Sequence, residues 1–296
     1  MQNIGFIGLG HMGKPMAINL IKSGYQMVVY DVRVEPVKEL AALGASSSES
    51  VQEIGATCDI VMTSLPHPKI SEEVWVGSQG ILSEAKPQSI FVELSTVSPA
   101  LVQRIAQLAA SKSITVLDAA VAGGVTRAAK GTLTIMVGGE KEAFQKTESI
   151  FKIIGENVFH VGKVGSGMVI KLVNNAMAHV NMIAIIEGMA IGVKAGVAPQ
   201  MLYEVISKSS GDSYQFRNRL GGRILKGNFE PGMRLALAYK DSVLACELGR
   251  ELGVPLFVTS AAHAVYEWAK LQDLNESDYG AIMTLWENLL KIKVRE

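Results

Sequence analysis

Cysteine is nearly absent. Cys58 and Cys246 are the only two in 296 residues, so no disulfide scaffold is possible, and no Cys/His/acid spacing resembles a metal site. Net charge is missing as well. The 28 Lys plus Arg balance 28 Asp plus Glu, which removes the usual signal for a nucleic-acid partner or an acidic membrane surface. There are 9 prolines, no low-complexity tract, no charged tail and no internal repeat, and 48% hydrophobic residues argue against long disorder. No basic segment followed by a cleavable apolar stretch opens the chain, so a cytoplasmic setting is the expectation. One apolar run, from residue 168 to about 195, is long enough to cross a bilayer. It contains Lys171, Asn174, Asn175, His179, Asn181 and Glu187, which are costly in lipid, and a buried helix is expected instead.

Glycine, by contrast, is abundant, with 29 residues, several of them where strands end. Residues 3–8 read as an apolar strand that runs into Gly8-Leu9-Gly10-His11-Met12-Gly13, and the helix that follows closes at Gly24. Residues 26–31 form a second strand with Asp31 at its end. Strands within 60–66, 89–99, 114–124, 132–139 and 158–162 alternate with helices over 36–44, 100–112 and 140–155, a pattern that predicts a mostly parallel sheet covered on both faces. After the long helix of about 42 Å, further helices are expected around 199–208, 214–226, 234–252, 256–270 and 275–291. The expected fold class is α/β: an amino-terminal Rossmann-type dinucleotide-binding domain over 1–164, then an all-helical domain over 165–296 for substrate and oligomerisation, joined by a long central helix. That helix is too apolar for one small domain to cover, so a homodimer or homotetramer is expected.

A GxGxxG triplet is weak evidence alone, but here it follows a strand and opens a helix, where a dinucleotide fold requires it. Gly8 permits the tight turn, Gly10 lets the backbone approach a pyrophosphate, and Gly13 lets the helix pack closely. Leu9, His11 and Met12 complete the turn, and the pyrophosphate would meet the free amides at the helix start. Asp31, 23 residues after Gly8, is placed to accept hydrogen bonds from the ribose hydroxyls and to repel a 2'-phosphate. NAD is therefore expected over NADP, although Arg33 can pair with a phosphate. Ser64-Leu65-Pro66 and Thr96 follow later strands at the same edge. They either line the nicotinamide and its ribose or serve only as turn residues.

The chemistry points to Lys171. On a helix Lys171, Asn174 and Asn175 share a local face, and an otherwise apolar helix has little reason to gather them without polar work. The competing reading is a satisfied network between helices, or a lysine whose amine reaches solvent. Oxidation of a hydroxy acid by hydride transfer leaves a proton to remove, and the reverse reaction needs it returned. A lysine can do both, and as an ammonium it stabilises charge growing on oxygen. Asn175 would hold the substrate hydroxyl or orient the amine. Gly123 and Gly124 end a strand in a turn whose bare amides suit a carboxylate, making a small carboxylic acid the expected substrate. Lys240 either reaches over cofactor or substrate, or forms an exposed pair with Asp241. His179 is expected in the core.

At these residues the chain resembles the beta-hydroxyacid dehydrogenase (3-hydroxyisobutyrate dehydrogenase) family. The resemblance spans the chain and rests on FIGLGHMGKPMAINL, LSTVSP, DAAVAGG, GTLTIMVGG, GSGMVIKLVNN and YKD, in the family's order. KPMAINL and the KSSG segment are similar to those of 2-(hydroxymethyl)glutarate dehydrogenases. The resemblance implies that Gly8, Gly10, Gly13 and Asp31 bind cofactor, Lys171 is catalytic, Gly123 and Gly124 hold the substrate carboxylate, Asn175 contacts substrate, Thr96 lies by the nicotinamide and Lys240 closes over the site. Ala120 and Ala122 depart from the family's usual proline and serine, as Met233 does from an aromatic and Asp212 from an arginine. These departures put the substrate's identity in question rather than the reaction type. An imine reductase of similar build, a non-catalytic nicotinamide-binding protein and a 6-phosphogluconate-type decarboxylating enzyme are the competing classes. The lysine, asparagine and glycine-pair set argues against the first two, and the chain length against the third.

Overall fold

The computed structural model describes residues 3–295, which form two compact units meeting in sequence between Lys171 and Leu172. The first unit alternates strand and helix: β1 (Asn3–Ile7), α1 (Gly13–Lys22), β2 (Gln26–Tyr30), α2 (Val34–Ala41), β3 (Ser46–Ser47), α3 (Val51–Thr57), β4 (Ile60–Thr63), α4 (Pro68–Val76), β5 (Ile90–Glu93), α5 (Pro99–Ala110), β6 (Thr115–Ala122), α6 (Gly124–Lys130), β7 (Leu133–Gly138), α7 (Lys141–Ile154) and β8 (Gly155–Gly162). The strands form one sheet in the order β3-β2-β1-β4-β5-β6-β7-β8, parallel throughout except for the β6–β7 pair. The order reverses at β1 and β4, the place where ligands bind in open α/β sheets.

Strand residues alternate between two cores, because successive side chains leave opposite faces of a sheet. Ile60, Met62, Ile90, Val92, Leu117 and Ala119 pack with Met16, Leu20 and Phe151 on one face. Val61, Phe91, Val116 and Ala120 pack with Ile54, Trp75, Val102 and Ile105 on the other. Both faces are dry, which explains the nearly continuous apolar strands.

A single helix, α8 (Ser166–Lys194), begins in the first unit and continues into the second, where α9 (Pro199–Ile206), α10 (Leu235–Glu251), α11 (Phe257–Lys270) and α12 (Met283–Leu290) follow. The Rossmann-type domain, long helix and helical remainder are as the sequence predicts. By length and composition α8 could cross a membrane. In the second unit its Met182, Ile186 and Met189 instead join Phe216, Leu235, Tyr266 and Tyr279 in a core. Buried His179 sits between the rings of Tyr266 and Tyr279, at 5.1 and 5.8 Å.

Two helical expectations change form. The stretch 214–226 is a π-helix (Phe216–Gly221) and a 3-10 turn (Ile224–Lys226). The Gly221-Gly222 pair interrupts regular winding, and a Cβ on Gly221 would stand 2.3 Å from the Tyr203 ring, so glycine is required there. The stretch 275–291 starts irregularly. Asp278 caps a 3-10 turn (Tyr279–Ile282) through a 3.0 Å bond from the Gly280 amide, and α12 follows.

Candidate active site

Tyr30, Ile7, Thr63, Glu93 and Asp118 lie in one register row across β2, β1, β4, β5 and β6. The loops after β1, β2, β4 and β5 therefore leave the sheet at one edge. After β1 the chain makes the glycine turn. Gly8 has φ +92, and a Cβ there would lie 2.3 Å from the Ser64 carbonyl oxygen; one on Gly13 would lie 1.9 Å from the Gly8 oxygen. These two glycines are demanded by the protein's own packing. Gly10 is different, since a Cβ on it would meet no protein atom within 4 Å. Glycine at that position leaves room for a ligand to approach the backbone, and the turn fits the pyrophosphate of a dinucleotide. His11 is exposed and Met12 half-buried against the first core.

Asp31 is tied to this turn. Its carboxylate accepts from the Leu9 amide at 2.7 Å and from the Arg33 Nε and amide at 2.9 Å each, while Arg33 also donates to the Leu9 carbonyl oxygen at 3.1 Å. Burial pulls the Asp31 carboxyl upward, but the bonds from Arg33 and Leu9 outweigh it and hold the group below the usual carboxylate range. Arg33 here belongs to Asp31, a pairing that sequence reasoning did not include among its uses.

The β4 and β5 loops are joined to each other. Ser95 Oγ accepts from the Leu65 amide at 2.7 Å, and the Ser64 amide donates to Ile7 at 2.9 Å. Pro66 is exposed; Thr96 is half-buried just after Ser95. Beneath them lies Glu93, wholly buried, accepting from Thr63 Oγ1 at 2.9 Å, Trp75 Nε1 at 2.9 Å and the Ser95 amide at 2.8 Å. Burial pushes its carboxyl upward, opposed by the bonds from Ser95 and Thr63.

β6 continues past Asp118 to the glycine pair. Gly123 and Gly124 have φ +130 and +72, and Gly123 is the residue that caps α6. The backbone there adopts a course that other residues rarely take. Asp118 is fully buried and accepts from the amides of Gly165 at 2.7 Å and Met168 at 2.9 Å, at the start of α8. Lys171, half-buried, follows on the same helix within the first unit.

In the second unit Asn175 and Lys240 converge on one carboxylate. Asn175 Nδ2 donates to Asp241 Oδ2 at 2.6 Å, Lys240 Nζ pairs with Asp241 Oδ1 at 3.1 Å, and Asn174 Nδ2 donates to Asn175 Oδ1 at 3.0 Å. The Lys240 side chain is only 13% exposed and that of Asp241 5%, so this is a buried pair and not the solvated one entertained from sequence. Asp118, Glu93 and the bridging role of Asp241 went unrecognised in the sequence. The only available signal was an acidic residue at the end of an apolar strand or inside an apolar helix.

Residues 3–162 match the family model for the NAD binding domain of 6-phosphogluconate dehydrogenase, and residues 165–286 match that for the NAD-binding of NADP-dependent 3-hydroxyisobutyrate dehydrogenase. The chain is 40% identical over 291 residues to 2-(hydroxymethyl)glutarate dehydrogenase of Eubacterium barkeri, covering 98% of this chain and 97% of that one. It is 35% identical to the NAD-dependent L-serine dehydrogenase of Pseudomonas aeruginosa, over 97% and 98% of the two chains. The solved structure of Mycobacterium tuberculosis 3-hydroxyisobutyrate dehydrogenase with L-serine superposes with a TM-score of 0.86 at 29% identity, covering 96% of this chain and 99% of that one. With both halves matched in order and the glycine turn in place at the sheet's switch point, the chain belongs to the 3-hydroxyisobutyrate dehydrogenase family of nicotinamide-linked oxidoreductases.

Proposed function

We propose that the protein reversibly transfers a hydride between NAD and a small 3-hydroxy acid, giving a semialdehyde or keto acid, with Lys171 as general acid and base. One observation supports this most: in the first unit the glycine turn, the Gly123-Gly124 pair and the start of the Lys171 helix are all seated on the same sheet. Bound at the turn, the nicotinamide supplies the hydride donor or acceptor. The backbone of Gly8, Leu9, Gly10, His11, Met12 and Gly13 holds the pyrophosphate, and Asp31, kept ionised by Arg33, accepts the ribose hydroxyls. Ser64, Leu65, Pro66 and Thr96 border the nicotinamide. The amides of Gly123 and Gly124 receive the substrate carboxylate, so that the acid is oriented before reaction.

The Lys171 amine takes the hydroxyl proton during oxidation and returns it during reduction, and its ammonium form offsets charge on the reacting oxygen. Asn175 binds the substrate, oriented by Asp241. Lys240, held by the same carboxylate, serves substrate and cofactor. A cytoplasmic homodimer or homotetramer goes with this reading. Oligomerisation is supported by Phe257, Val258 and Leu271 of the second unit, which are 85%, 65% and 74% exposed.

The test is a panel of 2-(hydroxymethyl)glutarate, 3-hydroxyisobutyrate and L-serine with NAD and with NADP, scored by kcat/KM. The reading expects oxidation of at least one acid, with NAD favoured by roughly tenfold or more through Asp31. Turnover of none of them, or a preference for NADP, counts against it.

A further inference from the structure

Helix α8 begins on Gly165, whose carbonyl accepts the first helical bond, from Val169 at 3.0 Å. A residue in that position ordinarily satisfies the unpaired amides of the first turn with its own side chain, and glycine has none. The carboxylate of Asp118, 47 residues earlier, does so instead: Oδ1 takes the Gly165 amide and Oδ2 the Met168 amide, with a contribution from Gly167. It also places a carboxylate against the positive end of the helix.

The space for this arrangement is made by glycines. A Cβ on Gly138 would stand 2.4 Å from Asp118 Oδ1, one on Gly165 2.7 Å from Gln103 Nε2, and one on Gly167 2.3 Å from the Met136 carbonyl oxygen. The helix start is thus pressed backbone-to-backbone onto β7 and bound to β6, and buried Met168 fixes it from the same side. Met168 lies three residues before Lys171, about 4.5 Å along the axis and on the same face. In the other direction, β6 carries Asp118 through to Gly123.

We infer that Asp118 is a positioning residue: it pins the start of the Lys171 helix to the strand that ends in the Gly123-Gly124 turn, fixing the distance between the amine and the carboxylate-binding amides. Asp118, Gly123, Gly124 and Lys171 all lie in the first unit. The inference rests on the assignment of Lys171 as acid and base. Misplacing a reacting group by about 1 Å costs on the order of a hundredfold in rate, whereas cofactor binding at the Gly8–Gly13 turn needs nothing from Asp118.

The experiment is a double-variant cycle of Asp118→Asn and Lys171→Ala. Single-turnover oxidation is measured with 2-(hydroxymethyl)glutarate, or with whichever acid of the panel the wild type oxidises fastest, beside NADH affinity by fluorescence and amide exchange over 163–173. Asparagine keeps the shape but turns an amide NH2 against a backbone N–H. The expected result is NADH affinity within about twofold of wild type, hydride transfer slowed roughly tenfold or more, and faster exchange at Gly165 and Met168. In the Lys171→Ala background the same change should slow transfer by less than about threefold, because its target is already gone.

Should Asp118→Asn not fold, Gly167→Ala replaces it in the same cycle: its Cβ would stand 2.3 Å from the Met136 carbonyl oxygen and 2.9 Å from Asp118 Oδ2, lifting the helix off both while keeping the charge of Asp118. A normal rate in Asp118→Asn beside a slow Lys171→Ala overturns the anchor alone. So does an effect that persists in full in the double variant, or a parallel loss of NADH affinity. A normal rate in Lys171→Ala overturns the assignment of Lys171, and the anchor with it.

Discussion

Two glycines of one turn answer to different masters. A methyl group on Gly13 collides with the Gly8 backbone, but one on Gly10 touches no protein atom. Gly10→Ala should therefore melt within about 1 °C of wild type while binding NADH at least roughly tenfold more weakly. Gly13→Ala should lower the melting temperature itself. Equal NADH affinity in Gly10→Ala would remove the ligand explanation for that residue.

Asp118 allows a second test at this scale. Burial, working against the amides of Gly165 and Met168, pushes its carboxyl up to about 6. Because the folded value lies above the unfolded one, the stability it contributes is complete below about pH 4 and is lost as the pH rises through about 6, a change of about 3 kcal/mol. Asp118→Asn has no such proton. The wild-type-minus-variant difference in urea unfolding should fall by roughly that amount between about pH 4 and 7, and a constant difference would contradict the account.

Elements were legible where pattern and punctuation agreed. β1, the glycine turn, α1 and β2 stand where the apolar run, the triplet and Gly24 predict them. Residues 214–226 carry the same apolar spacing, but Gly221 must be glycine to let Tyr203 approach, and regular winding fails there. The candidate site residues could be named from the sequence only by chemical type, as a lysine, a glycine pair and an acid at a strand end. Their partners were not legible. Asp118 to Gly165, Glu93 to Trp75 and Asp241 to Asn175 are pairings over 47, 18 and 66 residues, which no local pattern encodes.

Glu93 illustrates what such a pairing does for whole elements, since one carboxylate joins β4, β5 and α4 beneath the loops of Leu65 and Thr96. Glu93→Ala leaves the Ser95 amide without its acceptor in a dry core, and leaves the Trp75 indole and the Thr63 hydroxyl only their longer bonds, 3.1 Å to Thr63 Oγ1 and 3.4 Å to the Val92 carbonyl oxygen. The cost should be about 3 kcal/mol, or roughly 6–12 °C in melting temperature, with Glu93→Gln in between. An unchanged melt would show that water satisfies these donors.

On the scale of the molecule, the first unit supplies a cofactor turn of general type, and the second supplies a polar cluster of Asn175, Asp241 and Lys240 that the turn does not require. Their only covalent link among regular elements is α8, which leaves Lys171 at the end of one unit and Asn175 at the beginning of the next, a single turn apart.

The ammonium of Lys171 is the centre of the account, and stopped-flow hydride transfer in Lys171→Ala with saturating NAD tests it most directly. The account predicts NADH affinity within about twofold of wild type and a chemical step slower by roughly a hundredfold or more; transfer at the wild-type rate would contradict it.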